Sequence, residues 1–380
     1  MRDPYKIIVA GTGGIGKAVL LELLRRPEFE IVGVMGFSKR KDGRDVGELL
    51  GQEASGLKVT TDKQAMVDLP ADCVIWCGYF PMPHLEEATD EMVIRFLESG
   101  KNVISPTCYH YLPAHGDAYV KKFEDACKKG NSSLHGGGEN PGFWFERVAM
   151  TLTGLCNEVE SMKVDEYCNL ALTTGSEKMW NAAGYGLPEE EARKLTAFHA
   201  TWEKYYFHET LNFAAMSIYG KMLDEFKMSS TYFTTDEGFE LSEADGDPFD
   251  MKFPKGSVKA ATHRFDGYID GKLRLTATAS GYLGAEHSPF EGKPDSSWDI
   301  EIEGKPTSVK CNVAIQASFR DNLVFHPGDT TSPLYYATAV PIIQSIPVVC
   351  EHESGVVYPS VFASCAPDLR LLENRKSLVG

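Results

Sequence analysis

The first apolar run of the chain, residues 5–10, leads directly into a glycine turn, Gly11–Gly16. Beyond the turn, Lys17–Arg26 carries Val19, Leu20, Leu23 and Leu24 at helical spacing. That pattern predicts a strand, a tight turn and a helix. Short runs with little polar alternation recur at Phe29–Met35, Asp72–Cys77, Asn102–Ser105 and Ser133–His135. One of the intervening segments places Met92, Val93, Phe96 and Leu97 on a single helical face. Strands that are apolar on both sides and alternate with helices predict a parallel sheet covered on both faces. The expectation is a doubly wound α/β domain over residues 1–150.

Beyond Gly154 the pattern changes. Glu158–Tyr167 reads as a strand and Ser176–Ala183 as a short helix capped by Ser176. A further helix starts at Pro188, and helical segments continue to about Phe226. The acidic stretch Thr234–Gly256 has few large apolar residues and reads as an exposed loop. Val258–Ile269, Lys272–Tyr282, Trp298–Glu303 and Ser308–Phe319 read as strands, the first two joined by a two-residue turn at Asp270-Gly271. Residues 151–330 are therefore expected to form an α+β substrate domain on a mixed or antiparallel sheet. In residues 331–380, Ser332–Ile346 reads as a helix despite Pro341, in a segment returning to the first domain.

Composition narrows the class. With 380 residues, the chain exceeds what one core ordinarily supports, so two domains are expected. At 43% hydrophobic and 24% charged it is a folded globular protein, and a net charge of −16 argues against nucleic acid as a partner. No apolar run approaches the roughly 18–20 residues of a membrane span, and the start of the chain lacks a secretory signal, so no membrane partner and a cytoplasmic location are expected. The nine cysteines are scattered without a C-x-x-C pair, which suggests small buried apolar residues rather than a metal site.

Against that acidic background the glycine turn carries the chemistry. Gly11-Thr12-Gly13-Gly14-Ile15-Gly16 matches G-x-G-x-x-G between a strand and a helix, the arrangement that seats a dinucleotide pyrophosphate at a helix N-terminus. NAD-preferring sites place a carboxylate at the end of the second strand. Here Ser38, Lys39 and Arg40 follow Gly36-Phe37, with Lys41 next, so NADPH/NADP+ is the expected cofactor and NADH the alternative.

Further segments resemble proteins of the dihydrodipicolinate reductase type, in the divergent branch that includes 2,4-diaminopentanoate dehydrogenase and the native amine dehydrogenases. They are residues 43–49 (GRDVGEL), 101–105 (KNVIS), 134–143 (LHGGGENPGF), 184–190 (GYGLPEE), 266–272 (DGYIDGK) and 346–350 (IPVVC). The resemblance implies a second domain that both binds substrate and forms a homo-oligomer, here expected to be a dimer, with Asn140 near the nicotinamide. It departs at two points. Val164–Asn169 stands where dihydrodipicolinate reductases carry a histidine-rich stretch with a lysine, which argues against lysine biosynthesis. Where the amine dehydrogenases carry a glutamate after the fourth strand, this chain reads Thr107-Cys108-Tyr109-His110-Tyr111.

In doubly wound sheets the ligand lies outside the C-terminal strand ends. Gly78, Thr107 and Asn140 are therefore expected at the cofactor, and His110 or Tyr109 as proton donor during hydride transfer. Each of the two also has a structural alternative: Tyr109 covering the nicotinamide, His110 capping a loop. Glu139 is expected to meet a cationic substrate or to be a solvated carboxylate. Tyr167, Trp180 and Tyr185 are expected as pocket walls or as core, and His199 and His208 as packing residues. The resulting reading is an NADPH-dependent oxidoreductase for a small, rather apolar carbonyl or imine compound, without a metal. The alternatives are an amine dehydrogenase and a non-catalytic NADPH-binding protein.

Overall fold

A computed structural model describes residues 3–78, 86–173, 177–195, 199, 202–242, 249–318 and 331–358. Within these, the chain divides into one unit made of Met1–Phe143 and Gly328–Pro359 and another made of Trp144–Pro327.

The first unit is built on parallel strands β1 (Tyr5–Ala10), β2 (Phe29–Met35), β3 (Val59–Thr60), β4 (Cys73–Trp76), β5 (Asn102–Ser105) and β6 (Ser133–Gly136), with a last strand, Gly355–Val357, added beside β6. The order is last strand, β6, β5, β4, β1, β2, β3, so the sheet reverses direction of growth between β1 and β4. Helices α1 (Gly14–Leu24), α2 (Val46–Leu49), α3 (Lys63–Asp68), α4 (Glu86–Glu98) and α5 (Asp117–Gly130) connect the strands. Ile7, Val9 and Ile75 join a core with Val19 and Leu20 of α1 on one face. Ile8, Val74 and Val103 join a second core with Phe96 of α4 and Phe123 of α5 on the other. Neighbouring strand residues are thus buried on opposite faces, which is why the strands read as unbroken apolar runs. β3 and the last strand escape the sequence pattern, because two and three residues carry no period.

The C-terminal helix, Pro333–Glu351, packs along α1 and buries Ala339, Ile342, Ile343, Ile346 and Val349 in the first of these cores. It runs through Pro341 and Pro347, five residues past the expected end at Ile346. Contrary to the sequence expectation, it is long and apolar enough to cross a membrane by length and composition alone. Its most deeply buried residues belong to the core of this unit.

The second unit carries a six-stranded sheet in the order β14-β13-β7-β12-β11-β8. Its strands are β7 (Glu158–Asn169), β8 (Glu225–Thr234), β11 (Val258–Ile269), β12 (Lys272–Tyr282), β13 (Ser296–Lys305) and β14 (Val309–Ala314); β7 and β12 run parallel and the other neighbours antiparallel, so the sheet is mixed. Asp270 and Gly271 have φ of 52° and 69°, the left-handed pair that a tight two-residue hairpin requires. Two sequence expectations are corrected. The stretch expected as an exposed loop contains a hairpin, β9 (Phe239–Leu241) and β10 (Met251–Phe253), and it buries Leu241, Phe249, Met251 and Phe253 in a core cluster. The helical region ends at Tyr219, so that Phe226 lies in β8, because Gly220 in the left-handed conformation terminates the helix His208–Tyr219. Ser176, the expected cap, lies outside the described residues; its helix begins at Glu177.

Candidate functional site

The glycine turn sits where the first sheet reverses. Gly11 has φ of 123°, and a Cβ there would lie 2.2 Å from the Cys77 carbonyl oxygen, so the turn leaving β1 presses against the chain leaving β4. A Cβ on Gly16 would lie 2.1 Å from the Gly11 carbonyl oxygen, which fixes the close approach of α1 to the turn. Gly13 is different: its backbone is extended (φ −81°), it is exposed, and a Cβ there would meet nothing within 4 Å. Gly14 and Ile15 begin α1, whose first N–H groups have no partner inside the helix and carry roughly half a positive charge. Open space beside Gly13 at the N-terminus of an 11-residue helix fits a pyrophosphate.

Ser38, Lys39 and Arg40 are exposed on the turn that follows β2. Lys41, at the end of that turn, is half-buried; its Nζ donates to the Thr12 carbonyl at 2.8 Å and to Thr12 Oγ1 at 3.1 Å. Burial, then the neighbouring Arg40 and Arg44 charges, lower the Lys41 pKa from its ordinary value. Thr12, Lys17 and Lys41 share a cavity of about 40 Å³ with Leu20 and Val46. The structure thus joins the basic turn to the glycine turn through Lys41, one of three consecutive cations that spacing alone does not distinguish.

The ends of β5 and β6 form a second cluster on the same edge of the sheet. Gly137 N–H donates to the Ser105 carbonyl at 2.9 Å. A Cβ on Gly136 would lie 2.5 Å from the His110 nitrogen, and one on Gly138 would lie 2.5 Å from the Pro106 carbonyl oxygen. These contacts draw the loop carrying Thr107, Tyr109 and His110 against the loop carrying Glu139 and Asn140. Thr107 and Asn140 are half-buried, whereas His110 and Glu139 are buried. Gly78, at the end of β4, is packed so that a Cβ would lie 2.7 Å from the Phe37 ring, and residues 79–85 beyond it lie outside the described chain.

Tyr109 does not fit the proton-donor expectation. Its ring is fully buried beside Phe123, and its hydroxyl donates to Asp90 Oδ1 at 2.8 Å between α4 and α5. Burial above all, with the nearby Cys108 and Asp90 groups, holds its pKa well above the usual value. A φ of 67° turns the backbone so that this side chain enters the helix layer.

In the second unit, Trp180 and Tyr185, expected as pocket walls or as core, meet edge to face at 5.9 Å inside a core cluster. Tyr167 is half-buried on β7, edge-on to Phe290 at 5.4 Å, with Lys293 Nζ 4.7 Å above its ring; burial and nearby carboxylates push its pKa up to about 12. His208 packs edge-on to Phe226 at 5.0 Å, as a packing residue should. His199 instead lines a cavity of about 330 Å³ with Arg193, Ser230 and Tyr232, and its Nε2 lies 3.3 Å from the Tyr232 hydroxyl. Sequence spacing cannot reveal that cavity, because its walls come from a helical segment and a distant edge strand. Among the described residues no group of three or more His, Cys, Asp or Glu side chains is placed to hold a metal.

A glycine turn at the reversal of a doubly wound sheet defines a dinucleotide-binding protein, and known proteins narrow the class. Residues 5–107 match the family described as dihydrodipicolinate reductase, N-terminus. The curated 2,4-diaminopentanoate dehydrogenase of Acetoanaerobium sticklandii is 26% identical over 283 residues, covering 72% of this chain and 74% of that one. Among solved structures, an amine dehydrogenase from Mycobacterium smegmatis shares the fold with a TM-score of 0.67 at 18% identity, over 93% of this chain and 94% of its own. Residues 5–107 are thus of the dihydrodipicolinate reductase N-terminal type, and the chain is an oxidoreductase similar to known dehydrogenases.

Proposed function

We propose that the protein transfers hydride between NADP(H), preferred over NAD(H), and the carbon of a small amine or the corresponding imine or carbonyl. The observation that carries the nucleotide assignment is the open space beside Gly13 at the head of α1, at the point where the sheet reverses. The nucleotide, when bound, supplies the hydride. Gly13 and Gly14 amides and the α1 N-terminus would hold its pyrophosphate. Arg40 and Lys41 supply positive charge beside the ribose 2′-phosphate, and Lys41 fixes the turn at Thr12.

The amine assignment draws on the diaminopentanoate dehydrogenase and amine dehydrogenase likenesses. Glu139 supports it as well. This carboxylate lies after β6, in the strand-end cluster with Thr107 and Asn140, and is only 7% exposed. In that position it would attract an ammonium group and hold it near the nicotinamide, in place of the glutamate missing after β5. His110, in the same cluster, would hold or release the proton that balances hydride transfer.

The test follows reduced nicotinamide by absorbance. Primary amines should reduce NADP+, and the reverse reaction should require ammonia together with the ketone or aldehyde. Ketone reduction at full rate without ammonia would replace this reading with carbonyl reduction. Nucleotide binding without turnover across amines, imines and ketones would leave a binding protein. Glu139→Gln should raise KM for the amine far more than it changes nucleotide affinity.

A further inference from the structure

The glycine turn has two unlike sides. Beside Gly13 there is open space, whereas a Cβ on Gly14 would lie 2.2 Å from Cζ and 2.7 Å from the hydroxyl oxygen of Tyr335. Gly14 is the first residue of α1, and Tyr335 stands in the first turn of the C-terminal helix. Ser332 caps that helix, its Oγ accepting the Leu334 N–H at 3.3 Å, and so sets the turn from which the phenol projects. Tyr335, like Ile15 and Cys77, packs at the margin of the core, and it is half-buried. A side chain at position 14 other than hydrogen would displace the ring.

We propose that Tyr335 is a cofactor-binding residue whose hydroxyl donates to the pyrophosphate seated at the head of α1. The inference rests on the pyridine-nucleotide reading above. The turn Gly11–Gly16 contains no cationic side chain, so backbone N–H groups, the helix dipole and the Thr12 hydroxyl are its own means of holding an anion. A diphosphate presents more acceptor oxygens than the first turn of one helix satisfies. A phenol beside Gly14 adds a donor there without a charge, and its ring closes one side of the turn against water. The strand-turn-helix signature is thereby completed by a residue about 320 positions further along the chain, which links nucleotide affinity to the docking of the C-terminal helix.

The experiment titrates wild-type, Tyr335→Phe and Tyr335→Ala proteins with NADPH and with adenosine 2′-monophosphate, which lacks the pyrophosphate, and records thermal unfolding without nucleotide. Losing one hydrogen bond to a charged group should weaken NADPH binding by about tenfold or more in Tyr335→Phe, with adenosine 2′-monophosphate affinity and melting temperature unchanged. Tyr335→Ala should bind NADPH no more tightly than Tyr335→Phe. Wild-type affinity for NADPH in Tyr335→Phe would overturn the proposal and leave the nucleotide reading standing. So would a parallel loss of both ligands together with a lowered melting temperature, which marks a packing residue. A wild-type protein that does not bind NADPH or NADH saturably would overturn the nucleotide reading itself.

Discussion

Lys41 reaches back from the turn after β2 to the glycine turn after β1, its Nζ 2.8 Å from the Thr12 carbonyl oxygen and 3.1 Å from Thr12 Oγ1. One ammonium group therefore ties the turn after β2 to the glycine turn. Lys41→Met keeps the aliphatic stem over Leu20 and Val46 while removing the charge. The NADPH dissociation constant should rise about tenfold, the loss of one charge-assisted contact, and the NADH constant by less. Fluorescence titration with both nucleotides checks this, and equal losses would refute a role in discrimination.

Asp90 is 1% exposed and accepts hydrogen bonds from Tyr109 at 2.8 Å and Tyr119 at 3.1 Å, with Lys122 at 2.9 Å. Removing one donor from a buried carboxylate costs about 1–3 kcal/mol. Tyr109→Phe should therefore lower unfolding free energy by that amount in urea and leave the turnover number near wild type. A turnover loss of a hundredfold with unchanged stability would return Tyr109 to the chemistry.

His263 is buried on β11, its Nδ1 2.7 Å from Ser230 Oγ and its ring 5.0 Å from His199. Burial first, then the His199 neighbour, pushes its pKa down to about 3. The unfolded chain binds a proton near the ordinary value of about 6.5 while the native state does not. Stability is therefore complete above about pH 6.5 and declines as the pH falls towards 3, each tenfold difference in proton affinity being worth about 1.4 kcal/mol. Urea midpoints measured from about pH 8 to about pH 4 should fall steeply in wild type and less steeply in His263→Gln. Parallel slopes would exclude His263 as the source.

Strands and glycine turns proved legible in this sequence where their cause is local. β1, β2 and the hairpin at Asp270-Gly271 follow from apolar runs and left-handed turn residues. The hairpin of Phe239–Leu241 and Met251–Phe253 was hidden because its few apolar residues are interspersed with carboxylates, and their burial depends on Trp180 and Tyr185 from elsewhere in the chain. At the candidate site, G-x-G-x-x-G was readable by type and spacing. Which of three consecutive cations turns inward was not, because the turn after β2 decides that Lys41 and not Arg40 meets Thr12. Tyr109 and His110 are adjacent, and only the left-handed backbone at Tyr109 shows that its hydroxyl goes to Asp90. Tyr335 had no local signal, since its neighbour Gly14 lies about 320 positions earlier in the sequence.

The open side of Gly13 offers the most direct test of the nucleotide site. With φ of −81° and nothing within 4 Å of an added Cβ, Gly13→Val should fold with an unchanged melting temperature while filling the space assigned to the pyrophosphate. Calorimetric titration of both proteins with NADPH should show saturable binding to wild type and at least a roughly hundredfold loss in the variant, which is about 2.7 kcal/mol. Absence of binding to wild type, or equal binding by Gly13→Val, would contradict the account.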